Sequence, residues 1–127
     1  MLRKLWIIAA VGVMLAVLGG LEQRMVKRLT EEGLRQTTAI FEAIRQDDLP
    51  GAQGLADRLD HSWDEEAEKL EILMDHGSTD EVRFALSRLL AALEGRNRAA
   101  ALIYAGELEG SIEHVRERQE VTLQNLL

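Results

Sequence analysis

Residues 55–76 of the chain are LADRLDHSWDEEAEKLEILMDH, and they carry its clearest structural pattern. Apolar side chains recur there every three to four positions, the spacing of one helix face: Leu55, Leu59, Trp63, Ala67, Leu70 and Met74. Acidic side chains gather on another face at about 100° per residue: Asp57, Asp60, Asp64, Glu68, Glu71 and Asp75. The pattern predicts an amphipathic helix, helix B, over residues 52–76. Its apolar face is expected to pack in a core, with ligand stacking as the alternative for Trp63. Its acidic face is expected in solvent, and attraction of a basic partner or divalent cations is the alternative.

Two more helices are predicted on the C-terminal side of helix B. Gly77 is expected to stop helix B, and Ser78 with Glu81 three residues later forms a capping-box pattern that starts helix C. Helix C ends before Gly95, and its inward face is Val82, Ala85, Leu86, Leu89, Leu90 and Leu93. Helix D runs from about Asn97 nearly to the C-terminus, and its inward face is Ala101, Ala105, Leu108, Ile112 and Val115.

On the N-terminal side, residues 22–48 are predicted as helix A, continuous with the apolar segment that precedes it. Its apolar stripe is partial, because Gly33 and Gln36 interrupt it: Met25, Leu29, Ile40 and Ile44. Residues 47–51 contain Pro50 and Gly51 and are predicted as a turn, because both residue types end a helical pattern.

Short connections between long helices favour antiparallel neighbours. The predicted fold is therefore all-α: an N-terminal transmembrane helix followed by an antiparallel up-down four-helix bundle. Residues 1–21 are predicted as the membrane anchor and residues 22–127 as an acidic helical bundle domain. A three-helix core with a looser helix A is the alternative.

The predicted anchor rests on residues 5–21, the uncharged apolar run LWIIAAVGVMLAVLGGL. A run of this length is at the short end of the transmembrane range, and Trp6 stands where an indole suits the membrane interface. A buried core helix is one alternative. A cleaved signal peptide is another, with Arg3 and Lys4 as its basic region, but Val17 and Gly19 match the small-x-small cleavage pattern poorly.

The charges flanking the run bear on its orientation. Arg3 and Lys4 before the run favour a cytoplasmic N-terminus, whereas a strict count of the cations after it favours the opposite: Arg24, Lys27, Arg28 and Arg35. The short basic tail resembles that of a signal anchor, so the C-terminal domain is expected outside the cytoplasmic membrane. Gly12, Ala16 and Gly20 share one face of the span and could let another helix approach closely. Ordinary Gly and Ala content of an apolar helix is the alternative.

Composition excludes several classes of function. The formal net charge is −7, and after Arg3 and Lys4 are set aside 13 basic and 22 acidic residues remain, a net charge of −9. A nucleic-acid-binding surface needs a basic face, so this balance argues against one. The chain has no cysteine, which excludes disulfides, thiolate metal sites and cysteine nucleophiles.

No cofactor or metal site is expected. Counting about 1.5 Å of rise per residue, His61, His76 and His114 lie at levels of the predicted bundle that differ by about 10 Å or more, so they do not converge. The Glu-x-x-His motif of di-iron bundles is absent, because the residues three positions before the histidines are Arg58, Leu73 and Ser111. The sequence also has no nucleophile elbow, phosphate loop or dinucleotide fingerprint.

The last half of the chain resembles a bacterial family known as domain of unknown function 4363. The resemblance rests on Trp63 opening an amphipathic segment, on four short motifs and on their order: Asp75-His76, residues 89–93 (LLAAL), residues 113–115 (EHV) and residues 122–127 (TLQNLL). The family-like positions are Trp63, His76, His114 and Asn125. The resemblance implies a small membrane-anchored helical protein without assigned activity. It also associates the chain with neighbouring multipass membrane proteins, which would imply a membrane complex.

These observations predict a non-enzymatic accessory module that is anchored through residues 5–21 and binds a membrane or envelope protein. His76 and Asn125 are predicted to contribute to the partner surface, and homo-oligomers are possible. A sensory ligand-binding bundle that acts through a partner is the alternative. A metal-dependent enzyme is a third hypothesis, and it requires His76 and His114 to meet.

Overall fold

The computed structural model describes residues 2–70 and 76–126, and over these residues it consists of four α-helices. They are α1 (Leu2–Arg45), α2 (Leu49–Leu70), α3 (His76–Glu94) and α4 (Arg98–Leu126). Helix α1 packs against α2 and α4, and α3 packs against the same two helices. Helices that are consecutive in the chain are therefore neighbours in space, and the predicted all-α, up-down four-helix bundle is confirmed.

Helix α1 is longer than the bundle. It has 44 residues, a length of about 66 Å at 1.5 Å per residue, and it continues without interruption through the predicted anchor. Its most apolar 18-residue window has a mean hydropathy of 2.1 and is 0% buried. The alternative of a buried core helix is therefore wrong. By length and composition, α1 is the one helix among the described residues that is able to cross a membrane, a test that a signal sequence also passes.

The bundle has two ends. We call the end from which residues 2–21 project the lower end, and the end with the α1–α2 and α3–α4 turns the upper end. Both upper turns have the same hydrogen bonds. At the first turn, Asp48 N–H donates to Ala43 O (2.8 Å) and Asp47 N–H donates to Ile44 O (3.0 Å). Asp47 has a φ of 60°, the left-handed conformation that closes this type of helix end.

The second upper turn repeats the arrangement. Asn97 N–H donates to Ala92 O (2.9 Å), Arg96 N–H donates to Leu93 O (3.1 Å), and Arg96 has a φ of 54°. Helix α3 ends before Gly95 as predicted, but the left-handed residue is Arg96 and not the glycine.

The residue that closes each upper turn also caps the next helix. Gly51 N–H donates to Asp48 Oδ1 (3.0 Å), and Ala100 N–H donates to Asn97 Oδ1 (3.1 Å). Pro50 and Gly51 therefore lie inside the first turn of α2, and the predicted turn over residues 47–51 was too long. Proline is tolerated there because first-turn N–H groups have no helical partner. A Cβ at Gly51 would overlap the Asp48 carboxylate, so glycine lets this cap close.

Arg98 connects the two upper turns. Its Nε donates to Ile44 O (3.2 Å) and its Nη2 donates to Arg45 O (3.5 Å), the carbonyls that end α1. A guanidinium at this position also complements the negative end of the helix dipole. The start of α4 is therefore fixed against the end of α1.

The core faces of three helices follow the sequence pattern. All five predicted inward residues of α4 are buried, as are those of α3 apart from half-buried Leu90. On α2, Leu59, Trp63, Ala67 and Leu70 are buried and Leu55 is half-buried. Met74 lies outside the described residues.

The predicted core face of helix A was right at Ile40 and Ile44 but wrong at Met25. Met25 is 44% exposed, and the buried face of α1 is Val26, Thr30, Gly33, Thr37, Ile40 and Ile44. Each threonine hydroxyl donates a hydrogen bond to a backbone carbonyl of α1 itself: Thr30 donates to Val26 O (3.0 Å), and Thr37 donates to Gly33 O (2.7 Å). A polar residue that is satisfied in this way can be buried without the usual penalty.

Candidate functional site

Trp63 lies at the centre of the bundle and is fully buried. A Cβ placed on Gly33 of α1 would lie 3.6 Å from Trp63 Cζ3 and 3.2 Å from Ile112 Cδ1 of α4. The glycine therefore makes room for the largest side chain of the core. The indole therefore packs against α1 at Gly33, as the core-packing prediction expects.

A groove of about 650 Å³ runs between α1 and α2, and Trp63 and Gly33 form part of its wall. Its other apolar residues are Met25, Leu29 and Leu59. Two buried polar atoms of the wall have no hydrogen-bond partner within the described part of the chain, Trp63 Nε1 and Gln36 Oε1. Buried tryptophan N–H groups usually find a partner, so one donor and one acceptor of the residues in this wall are left unsatisfied. The signal in the sequence was the interruption of the helix A stripe by Gly33 and Gln36.

Hydrogen bonds to the Glu32 carboxylate hold the side chains at the rim of this groove in place. Glu32 accepts hydrogen bonds from the Arg35 guanidinium and from Gln36 Nε2 (3.0 Å). The hydrogen bond from Arg35 is the main cause that holds the pKa of Glu32 below its ordinary value, and the bond from Gln36 is the second. Glu32 is therefore ionised at neutral pH, and its interaction with Gln36 fixes the amide so that its oxygen stays buried.

The acidic face of α2 is only partly in solvent. Asp57, Asp64 and Glu68 are exposed as predicted, but Asp60 is half-buried. Burial is the main cause that raises the pKa of Asp60, and the negative charge of Asp64 raises it further. Asp64 is paired across the α2–α3 interface with Arg83, at 3.0 Å between Oδ1 and Nε. Glu71 and Asp75 lie outside the described residues.

The two histidines whose side chains the structure describes, His61 and His114, lie on α2 and α4. His61 is exposed, and its Nδ1 lies 3.0 Å from Asp57 O. His114 is also exposed, and its Nδ1 lies 3.7 Å from Glu81 Oε2 on α3. Among the side chains that the structure describes, those of residues 2–70, 77 and 79–118, no group of three or more His, Asp or Glu could hold a metal ion.

The predicted position of His76 was wrong. It is the first residue of α3 and not the last residue of the predicted helix B. Gly77 and Ser78 lie in the first turn of α3. Because Gly77 lies within α3, it does not stop a helix as predicted.

His76 and Asn125 both lie at the lower end by the register of the helices. Glu81 pairs with His114 between α3 and α4, and counting from this pair puts the backbone of His76 level with Gln119. Asn125 is six residues further along α4, about 9 Å lower. Gly33 faces Ile112, which puts Asn125 at the level of about Gly20. The side chains of His76 and Asn125 are outside the described part of the structure.

A second groove, of about 490 Å³, lies between α1 and α4 at the lower end. It is lined by Gly20, Gln23, Arg24, Val26, Lys27, Glu31 and Arg116. Lys27 Nζ lies 3.9 Å from Glu31 Oε1. In the sequence, Arg24 and Lys27 bore only on orientation, and no sequence pattern connected them with Arg116.

The three small residues of the projecting segment lie uncovered. Gly12, Ala16 and Gly20 are exposed, and a Cβ on either glycine would meet nothing within 4 Å. The bundle of this chain does not cover that face, so their predicted role in helix packing stays a prediction.

Comparison with known proteins gives one match. A family model described as Domain of unknown function (DUF4363) matches residues 21–126. This range extends further toward the N-terminus than the resemblance from Trp63 onward. No curated protein and no solved structure matches the chain.

Proposed function

The chain belongs to the DUF4363 family, and from this premise we propose that it is a membrane-anchored, non-enzymatic accessory module that binds a membrane or envelope protein. The observation that carries the proposal is the form of α1. One uninterrupted helix supplies a wall of the bundle and then projects an uncovered apolar segment beyond it. Exposure of such an apolar surface to water is unfavourable, so the segment needs a bilayer or a partner to cover it.

The anchor is tested by extraction of membranes. The full chain should stay in the membrane pellet through washes with high salt and with alkaline carbonate, because an apolar span is not released by loss of charge interactions. A shorter soluble form in the wash would identify the segment as a cleaved signal and overturn the proposal.

The proposed orientation has the bundle outside the cytoplasmic membrane. Protease added to intact spheroplasts should then digest the bundle and leave residues 2–21 protected. Protection of the bundle until the membrane is broken would reverse the orientation.

The proposed partner surface is the lower end of the bundle, where His76 and Asn125 lie. A membrane protein beside the anchor reaches this end more easily than the upper end, which α1 holds at least 25 Å higher by the helical rise between Val26 and Ile44 at about 1.5 Å per residue. Homo-oligomers through the face of Gly12, Ala16 and Gly20 are compatible with this arrangement.

Crosslinking in native membranes tests the partner surface. His76→Ala and Asn125→Ala should fold normally, as judged by circular dichroism, but should lose the crosslinked partner. His61→Ala is the matched control, because His61 is an exposed histidine away from the lower end. Retention of the same crosslinks by all three variants would contradict the proposed surface. Stoichiometric transition metal that is lost on replacing His76 or His114 would instead support an enzyme.

The groove between α1 and α2 favours the second candidate function, a sensory ligand-binding bundle that acts through a partner. A volume of about 650 Å³ lies within the range of small-molecule pockets, which in bundles lie between helices. An amide would suit Trp63 Nε1 and Gln36 Oε1, because it carries both an acceptor and a donor. Ligand contact with α1 would act directly on the helix that enters the membrane.

A pair of matched probes tests this candidate. In full-length protein with Trp6→Phe, Trp63 is the only tryptophan, so its emission reports the groove. 3-Phenylpropanamide should bind roughly tenfold more tightly than the matched methyl ester, which lacks the donor. Gln36→Met should remove this preference and Gln23→Met should keep it. Equal binding of amide and ester by the unsubstituted groove would exclude the candidate.

A further inference from the structure

We propose that the groove between α1 and α4 at the lower end binds the phosphate of an anionic lipid headgroup. The proposal rests on the membrane anchoring proposed above and adds a site to it. Arg24 and Lys27 of α1 and Arg116 of α4 meet at this groove, together with one carboxylate, that of Glu31. Two helices therefore supply three cations to a space of about 490 Å³.

The cations of this groove are available to a ligand. Among the residues whose side chains the structure describes, 2–70, 77 and 79–118, neither Arg24 nor Arg116 has an ion-pair partner. Lys27 reaches Glu31 only at 3.9 Å, with 72% and 57% of the two side chains exposed, and exposed pairs of this kind are weak. The positive charge is local, because the chain beyond the anchor has a net charge of −9. Overall charge would repel an anionic membrane, so attraction requires a local site such as this one.

Two of the three cations, Arg24 and Lys27, lie at the height of the headgroup layer. Arg24 is three residues and Lys27 six residues beyond Leu21, where the apolar run ends, so they lie about 4.5 and 9 Å above it. The headgroup layer on each side of the hydrocarbon is roughly 5–8 Å thick. Side chains of a helix lean toward its N-terminus, which for Arg24 and Lys27 is the direction of the apolar segment. Gly20 leaves the foot of the groove open, because a Cβ there would meet nothing within 4 Å.

The arginine and lysine side chains of the groove favour a headgroup with a net negative charge. Arginine binds phosphate through two parallel N–H···O bonds, and lysine adds a point charge. A phosphodiester with an uncharged alcohol, such as phosphatidylglycerol, keeps its negative charge for these donors. The trimethylammonium group of phosphatidylcholine would bring a fourth cation to the same groove. The site should therefore prefer the anionic lipid.

This assignment also gives the cations after the span a role other than orientation. Counted as topological signals, they oppose the cytoplasmic N-terminus that Arg3 and Lys4 favour. As headgroup ligands, Arg24 and Lys27 are compatible with a bundle on the outer side.

The test compares the thermal stability of the full chain in nanodiscs of phosphatidylcholine with that in nanodiscs that also contain phosphatidylglycerol. Ligands that bind only the folded state raise its Tm. The anionic lipid should raise the Tm by roughly 4 °C or more, and moderate salt should reduce this shift by screening. Arg24→Gln combined with Arg116→Gln should abolish the shift.

The matched control is Arg58→Gln combined with Arg88→Gln. It removes the same charge from exposed residues outside the groove and should keep the lipid-dependent shift. Equal loss of the shift in both double variants would mean general charge attraction and overturn the proposal. So would the absence of any shift in the unsubstituted protein.

A second arm separates lipid from free phosphate. In nonionic detergent, millimolar inorganic phosphate should leave the Tm unchanged, because the proposed ligand is held in the plane of the membrane beside α1. A phosphate shift that equals the lipid shift, and that is lost in the Arg24→Gln and Arg116→Gln variant, would assign the groove to a soluble anion. Release of the chain by carbonate would refute the anchor itself, whereas an integral protein without lipid preference would refute only this site.

Discussion

A larger side chain at Gly33 tests the packing around Trp63. In Gly33→Leu, the leucine would enter a space where a single Cβ already lies 3.2 Å from Ile112 Cδ1 and 3.6 Å from Trp63 Cζ3. Overpacking of a core costs about 1–3 kcal/mol. Leucine also favours helix over glycine by roughly 0.5–1 kcal/mol, so the stability of this variant alone mixes two opposing effects.

Gly106→Leu is the matched control that separates them. Gly106 lies on the exposed face of α4, and a Cβ there would meet nothing within 4 Å. The propensity gain is common to both variants and cancels, so Gly33→Leu should be less stable than Gly106→Leu by about 1–3 kcal/mol. Urea unfolding of the full chain in detergent, followed by Trp63 emission with Trp6→Phe, measures the difference. A difference below about 0.5 kcal/mol, the usual range for exposed sites, would refute the close approach of α1 to the core.

Ile112 provides a second arm. Ile112→Ala alone should cost about 2–5 kcal/mol, because it leaves a cavity. In the Gly33→Leu background the leucine can fill that cavity, so the two costs should fall short of additivity by at least about 0.5 kcal/mol. Strictly additive costs would mean that the two residues do not touch.

Three further predictions use the same unfolding assay. Trp63→Ala should lower the free energy of unfolding by about 3–5 kcal/mol, whereas Glu68→Ala, on the exposed face of the same helix, should change it by less than about 0.5 kcal/mol. These two should be followed by circular dichroism, and equal losses would contradict the face assignment. Asp60→Asn should raise the urea midpoint at about pH 7 and leave it unchanged at about pH 3. The reason is that burial, with a smaller contribution from the charge of Asp64, raises the pKa of Asp60. The ionised form of Asp60 therefore destabilises the fold above that pKa, and the protonated form does not. An unchanged midpoint at neutral pH would contradict this. Arg98→Ala should cost about 1–2 kcal/mol, because it removes the hydrogen bonds to the carbonyls that end α1; no loss would mean that these bonds form equally well with water.

The sequence alone determined the helical architecture and the inward faces of α3 and α4. Their apolar residues recur at the helical period, and burial of apolar surface is the main force that brings such faces together. Ala101, Ala105 and Leu108 could therefore be assigned to the core without coordinates. The apolar run after Lys4 was equally clear as a segment long enough to cross a membrane, a pattern that a signal sequence shares.

The tertiary structure decided what periodicity does not encode. Gly33 and Thr37 are buried because Trp63 needs space and because a threonine hydroxyl can bond to its own helix, and neither reason is visible in hydropathy. One helix boundary was missed for a related reason: Pro50 usually ends a helix, but it is tolerated in a first turn, where backbone N–H groups lack helical partners. The groove that joins Arg24 to Arg116 exists only because α4 returns antiparallel to α1, so residues 92 positions apart in the chain become neighbours through packing of the bundle.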